Sequence, residues 1–543
     1  MAHGLSAESV QQQFLNWASL MRHNHATYGE KTWMIYVDER GERTDWSYAV
    51  FIDTTRRLAR LLSEHGIGKN CRVVVAGHNH PDTIMAYFAC WFLGACAVPL
   101  NMLEDDGRLQ FIIENSNATL VLCRTEYLAR IESVRGLSTA EVIDVDTDAA
   151  DPQFYSDLRS LSPMEWPDAT NDVRWNDALI VYTSGTTGNP KGVVLIQQNL
   201  FADGTDIANW HGITPDQRMM CVLPIHHVNG TIVTHVAPFI AGASVVLHRK
   251  FSPHRFFSSI RTKSVNVVSV VPTLLALLLE ARVDSLKVEE AGFRHIICGA
   301  GPLTCELAER FESTYGLRVV HGYGLSETTC YSCFLPTTLT NEEHRSWMKD
   351  HGFPSIGVAI PCNEMAIHDE QGNGVPDGQR GEIVIRGTNV MRGYESNQKA
   401  NEEAFSFGWF RSGDEGFRVL DRHGRHFYFI TGRLKELIIR GGVNLAPLEI
   451  DEVISRAPGV RAGFCVGFEN NMYGEEVGAL VVSSEAEPNP DSIIAFCRAN
   501  LPFHKSPKVV LFTHSLPVTS TGKYQRNKVK HLFSEWKDSQ FRK

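Results

Sequence analysis

Along the first two thirds of the chain, short apolar segments alternate with amphipathic ones, and this alternation limits the fold more than any other feature. RVVVAG (72–77), CAVPLN (96–101) and ATLVLC (118–123) read as strands, and the stretches between them, such as 81–93 and 107–115, read as helices. Strands and helices in turn predict an α/β sheet of parallel strands. The pattern recurs in ALIVYT (178–183), MMCVLP (219–224), ASVVLH (243–248), VNVVSVVP (265–272), RHIICGA (294–300) and RVVHGYG (318–324). Glycines then come closer together, and 363–387 and 417–433 alternate with period two around Asx-Gly and Gly-rich turns. That texture predicts hairpins in an antiparallel sheet or small barrel. After Arg433 it changes again: 448–460 reads as a helix, GFCVGFE and GALVVSSE as strands, and 491–502 as a helix. The chain, at 543 residues, is too long for one compact core. The expectation is an α/β multidomain protein. Its large N-terminal domain, 1–434, has α/β layers plus a small antiparallel β-barrel at about 350–433, and a small α+β domain follows at 435–543.

From Thr83 to Leu100 the sequence carries no charge and touches the length of a membrane span. Gly94 and Pro99 interrupt it, so it reads as a buried helix feeding a short buried strand. A net charge of −10 argues against nucleic acid as the main partner. The opening MAHGLSAESVQQQF lacks the basic and apolar regions of a secretory signal, and the final Phe541-Arg542-Lys543 is not a peroxisomal address. Twelve cysteines without a disulfide framework fit reduced thiols, so the expected location is the cytoplasm. Cys330-Tyr331-Ser332-Cys333 has no second pair at zinc-ribbon spacing and reads as buried thiols beside a pocket.

The stretch YTSGTTGNPKGVVL (182–195) sets Thr183, Ser184, Thr186 and Thr187 around Gly185 and Gly188, and adds Lys191. Small hydroxyl residues between glycines let backbone N–H groups and Oγ atoms converge on phosphate oxygens. The order is not that of a Walker loop, because Pro190 rather than glycine precedes the lysine.

This stretch resembles the signature loop of the adenylate-forming superfamily, which holds acyl- and aryl-CoA synthetases, peptide-synthetase adenylation domains and firefly-type luciferases. Companion motifs follow in the family's order over nearly the whole chain. PIHHVNG (224–230) resembles the paired-histidine element, which implies His227 beside the acyl carboxylate with His226 in support. ICGAGP (297–302) resembles the turn against adenine, implying Gly299, Ala300 and Gly301. HGYGLSETT (321–329) resembles the segment that stacks adenine on Tyr323 and meets the α-phosphate, implying Gly322, Gly324, Leu325 and Ser326 as well. Glu327 matches the carboxylate that binds Mg²⁺, an ion that takes hard oxygen ligands and bridges phosphates. In FRSGD (410–414), Asp414 matches the acceptor for both ribose hydroxyls. In ITGRLKELIIRGG (430–442), Arg433 matches a ribose- or phosphate-binding arginine, and Lys435 falls at the interdomain hinge. In LPVTSTGKYQRNKV (516–529), Lys523 matches the lysine that bridges the carboxylate and α-phosphate oxygens.

The resemblance implies ATP, Mg²⁺ and coenzyme A. A carboxylate displaces pyrophosphate from ATP to give acyl-AMP, and a thiol then takes the acyl group. The C-terminal domain rotates about the hinge between the two steps, with Gly441 and Gly442 lining a pantetheine tunnel and Lys250 meeting a CoA phosphate. The pocket walls are expected around 227–231, 269–273, 299–303 and 328–333, including Val228, Asn229, Thr231, Val271 and Cys330. They suit a neutral, mainly apolar acid. Asn229 and Thr231 either bond the substrate or hold their loop. A homodimer is common in the family. The alternatives are loading of a separate acyl carrier protein and, more remotely, a non-catalytic nucleotide-binding protein. An amino-acid-selecting adenylation domain would place an aspartate where this chain has HHVNG, and a luciferase-like oxygenase is the least favoured member.

Overall fold

The computed structural model describes residues 14–136, 138–146, 158–183, 189–518 and 524–541. The alternating segments form two sheets rather than one. In a nine-stranded sheet, Val319–Tyr323, His295–Cys298, Val267–Val270, Arg218–Cys221, Ser244–His248 and Thr32–Val37 run side by side and parallel. A seven-stranded sheet has a parallel centre of Asp177–Thr183, Cys96–Asn101, Arg72–Gly77, Leu120–Cys123 and Glu141–Asp144. The central strands are buried on both faces, which is why they read as continuous apolar runs rather than as alternating ones.

Helix Pro81–Phe92 is buried along its whole length and leads into strand Cys96–Asn101, as the uncharged run 83–100 predicts. Trp17, Phe88, Trp91, Phe201 and Phe239 interlock beside it, with Trp17 and Phe201 stacked at 4.8 Å. Among the described residues no helix is long and apolar enough to cross a membrane. All twelve cysteines are free thiols, and Cys330 and Cys333 are buried.

The direction of the large sheet positions the site. Its parallel strands end together, so the chain leaves the sheet at one edge just before His226 and His227, at Val271, at Gly299 and at Tyr323. Ligands of open α/β sheets bind outside these carboxyl ends.

Asn363–His368, Gly381–Gly387, Phe410–Leu420 and His426–Arg433 form a four-stranded antiparallel sheet, joined to the large sheet by a bridge between Gly357 and Tyr428. The expected small barrel is thus an open path of four strands. Its register sets Asp414 directly opposite Arg433.

From Ile438 onward the chain has two apolar clusters of its own, on the faces of a five-stranded sheet. Helix Pro447–Ser455 packs on strand Val460–Asn470. Asp451 of that helix forms a buried ion pair with Arg526, whose Nη1 also donates to the Cys465 carbonyl at 2.7 Å. Arg526→Ala would leave Asp451 charged and unpaired in the interior, a change that costs about 3–5 kcal/mol. Amide exchange is expected to accelerate in Val460–Asn470 and Gly474–Ser483 and to stay unchanged in Arg72–Gly77. Unchanged protection in the first two strands would refute this role for the pair.

Candidate active site

A cleft lies where the small antiparallel sheet meets the carboxyl edge of the large one. Ala300, Gly301, Tyr323, Asp414, Arg433 and Tyr524 are among the residues that line it. Asp414 is almost fully buried, at 1% exposure. The Tyr323 hydroxyl donates to its Oδ2 at 2.6 Å, and Arg433 Nε stands 3.1 Å from Oδ1, which has no aligned hydrogen bond. This oxygen is an acceptor held ready at the cleft. The Asp414 charge raises the Arg433 guanidinium still further above its usual range. Burial, and then Asp414, push the Tyr323 phenol well up, so it stays a donor.

Tyr323 is the last residue of strand Val319–Tyr323, next to strand His295–Cys298, which delivers Gly299, Ala300 and Gly301. A Cβ on Gly299 would stand 2.7 Å from the Gly322 carbonyl oxygen, so only bare backbone lets these two turns approach. Leu325 and Ser326 follow on the surface of the turn, and Glu327 lies in the short 3₁₀ turn Ser326–Thr328.

The Glu327 carboxylate is half-buried and accepts a hydrogen bond from the Tyr394 hydroxyl at 2.9 Å. Its backbone carbonyl accepts from Met391 N at 2.8 Å. Lys191 Nζ lies 4.6 Å from the centre of the Tyr394 ring. Tyr394 therefore ties Glu327 to Lys191, a link that sequence reasoning missed. Strand pairing of Tyr394 with Val193 makes the link, and no local pattern announces it.

Among the described residues no cluster of three or more His, Cys, Asp or Glu could hold a metal ion. The single, anchored Glu327 carboxylate nevertheless fits Mg²⁺, which binds through one or two carboxylates plus phosphate oxygens and water.

Thr183 ends strand Asp177–Thr183, and Lys191 starts the antiparallel strand Lys191–Ile196 directly opposite. The loop thus joins two strands, whereas a Walker loop opens a helix. Ser184, Gly185, Thr186, Thr187 and Gly188 lie outside the described residues, as does Lys523. The flanks of the lysine motif, Val518 and Tyr524, bridge each other.

The His226 and His227 rings lie 4.4 Å apart, tilted at 57°, in the turn before the π-helix Asn229–Val236. Burial, and then His227, push His226 well below the usual histidine range, so its imidazole is neutral. His226 Nε2 is buried with no described partner. Asn229 donates to the Tyr331 hydroxyl at 3.2 Å and accepts from Ser269 at 2.7 Å. The Thr231 hydroxyl donates to the Ile225 carbonyl. Thr231 thus holds its own loop, and Asn229 ties that loop to Ser269 and Tyr331. Val228, Val271 and Cys330 are buried.

Four expected residues are not among those that line the cleft. Lys250 is exposed and faces Glu39 at 3.4 Å. Lys435 is exposed in the turn Leu434–Glu436. Gly441 and Gly442 are the exposed two-residue turn of a hairpin, with φ of 57° and 81°. Such a turn needs positive φ at both positions, which accounts for the glycines without a ligand.

This fold and cleft define an adenylate-forming enzyme. The AMP-binding enzyme model matches residues 21–395, and the model for the C-terminal domain of AMP-binding enzymes matches residues 449–523. The chain belongs to this family, in its acyl-CoA synthetase branch. It is 33% identical over 535 residues to the sulfoacetate–CoA ligase of Cupriavidus necator, covering 97% of this chain and 99% of that one. ATP-bound MatB from Rhodopseudomonas palustris superposes with a TM-score of 0.86 at 25% identity, over 96% of this chain and 99% of that one. The O-succinylbenzoate coenzyme A synthetase of Bacillus subtilis, in complex with ATP and magnesium ion, superposes with a TM-score of 0.79 at 27% identity, over 95% and 99% of the two chains.

Tyr323→Phe keeps the ring and removes the donor to Asp414. A hydrogen bond to a charged group contributes about 1.5–3 kcal/mol, so the dissociation constant for ATP should rise at least tenfold in calorimetric titration. An unchanged constant would show that Asp414 does not depend on Tyr323.

Proposed function

We propose that the chain is an ATP-dependent, AMP-forming ligase that joins a neutral, mainly apolar carboxylic acid to coenzyme A. The observation that carries the reading is the buried Asp414 carboxylate, one oxygen of which has no aligned hydrogen bond, at a cleft shared by Tyr323, Arg433 and the Ala300–Gly301 turn. In this reading adenine lies between the 299–301 turn and the Tyr323 ring, and the ribose hydroxyls donate to Asp414. Thr183, Ser184, Gly185, Thr186, Thr187, Gly188 and Lys191 hold the β- and γ-phosphates, and Ser326 meets the α-phosphate. Glu327 would hold Mg²⁺, which supplies neutralisation of phosphate charge when bound.

A carboxylate is a poor electrophile because oxide would have to leave. Its attack on the α-phosphate expels pyrophosphate and exchanges oxide for AMP as the leaving group. The thiolate of CoA then attacks the acyl carbon, and AMP departs. The first transition state gathers negative charge from both reactants, and Lys523 is placed by its motif to offset it. His227, on the carboxylate side, orients the acid.

Two features support a neutral acid. The wall segments 227–231, 269–273, 299–303 and 328–333 contain no Lys or Arg. The neutral His226 imidazole and the internally bonded Asn229, Ser269 and Tyr331 offer no charge to a second anionic group. We further propose that residues 435–543 form a mobile domain hinged at Lys435, with separate apolar clusters as the support. Gly441, Gly442 and Lys250 would then meet CoA in the second state.

The test is a panel of acetate, octanoate, benzoate, coumarate, cholate and oxalate, read as AMP release with CoA and as acid-dependent ATP–pyrophosphate exchange. Octanoate, benzoate, coumarate or cholate should support both reactions, and oxalate neither. Exchange without CoA-dependent AMP release would point to a carrier protein as acceptor. ATP binding with no exchange would leave only a nucleotide-binding protein. Lys523→Ala should abolish exchange and spare thioester formation from preformed acyl-adenylate. Equal loss of both steps would contradict a lysine used in one of two domain states.

A further inference from the structure

We propose that Glu452 is a positioning residue of the acid-activation step, latching the C-terminal unit, and with it the segment carrying Lys523, onto the wall of the nucleotide cleft. This rests on the reading of Lys523 given above. Glu452 lies on helix Pro447–Ser455 and is buried, yet its Oε2 reaches out of the C-terminal unit. It accepts from Cys305 N at 2.8 Å, at the first residue of helix Cys305–Tyr315 in the N-terminal part.

The first turn of a helix has N–H groups with no acceptor in the helix. Thr304 Oγ takes the Leu307 N–H at 3.2 Å. Glu452 takes the N–H group of Cys305. Burial raises the Glu452 carboxyl above its usual range, and the Cys305 N–H and the helix dipole act against that rise. Withdrawal of the C-terminal unit frees Glu452 and the Cys305 N–H together. The contact therefore exists in one domain arrangement and is absent in the other.

The same helix holds the lysine's segment from its other side. Asp451, the preceding residue, pairs with Arg526, and the Arg526 guanidinium lies 5.8 Å from the centre of the Tyr524 ring. Tyr524 follows Lys523 in the chain and lines the cleft with Asp414 and Arg433. Two successive carboxylates thus join the motif's flank to the N-terminal part through one turn of helix. Other charged pairs across this junction are Arg461–Glu280 at 3.1 Å and Arg380–Glu449 at 3.4 Å. Both are open to water, which screens such pairs to small values. Among the charged groups described at this junction, Glu452 makes a buried contact.

The experiment uses the full chain and the panel acid with the fastest exchange. Glu452→Ala should slow pyrophosphate exchange about tenfold, the scale of one lost charge-assisted hydrogen bond. Thioester formation from the synthetic acyl-adenylate and CoA should change less than twofold, which also reports that the variant is folded. Glu452→Gln keeps an acceptor oxygen and should recover most of the exchange rate. Equal loss of both half-reactions, no loss in either, or failure of glutamine to rescue would each overturn the latch. Lys523→Ala is measured alongside. If it separates the half-reactions and Glu452→Ala does not, the latch alone fails. If Lys523→Ala impairs both alike, the lysine reading fails and takes the latch with it.

Discussion

The Asp414 carboxylate has almost no access to water, and the site is organised around keeping it there. A buried carboxylate is costly unless it is paired and hydrogen-bonded. Tyr323 supplies a short hydrogen bond and Arg433 the opposite charge. Arg433 comes from the facing strand of the small sheet, and Tyr323 from the carboxyl end of the large one. The interaction therefore requires both sheets to be built and docked correctly. One Asp414 oxygen remains without an aligned donor in the protein. A nucleotide ribose has two hydroxyl donors to offer it.

Two carboxylates at the site have contrasting settings. Asp414 is enclosed and fixed on both sides. Glu327 is half-buried and held at one oxygen by Tyr394, which leaves room for a cation that keeps part of its water shell. This division suits an anionic substrate with a hydroxylated ribose at one end and a metal-bound phosphate chain at the other. Gly299 has no Cβ to meet the Gly322 carbonyl, so the turn that follows strand His295–Cys298 lies close against the end of strand Val319–Tyr323.

Much of this was legible in the sequence, for identifiable reasons. Buried parallel strands are continuous apolar runs, so Arg72–Gly77, Cys96–Asn101 and Asp177–Thr183 fall within a residue of the segments 72–77, 96–101 and 178–183. Short motifs single out Glu327, and also Tyr323, Asp414 and Arg433, which line one cleft. Periodicity carries no information on strand order, so the division into two sheets and the open form of the small sheet emerged only from the pairing. The residues that were missed act across long separations. Tyr394 meets Glu327 67 positions away, and Glu452 meets Cys305 147 positions away. Gly441 and Gly442, singled out by their motif, also form the positive-φ turn of a hairpin, which by itself calls for glycine.

The central claim is that the acid's own oxygen attacks the α-phosphate of ATP. Isotope transfer tests it directly. The panel acid that supports turnover is labelled with ¹⁸O in its carboxylate and converted with ATP and CoA, and the AMP is analysed by mass spectrometry. The account predicts one ¹⁸O atom in the phosphate of each AMP formed. Unlabelled AMP, or label found in inorganic phosphate, would contradict activation through an acyl-adenylate.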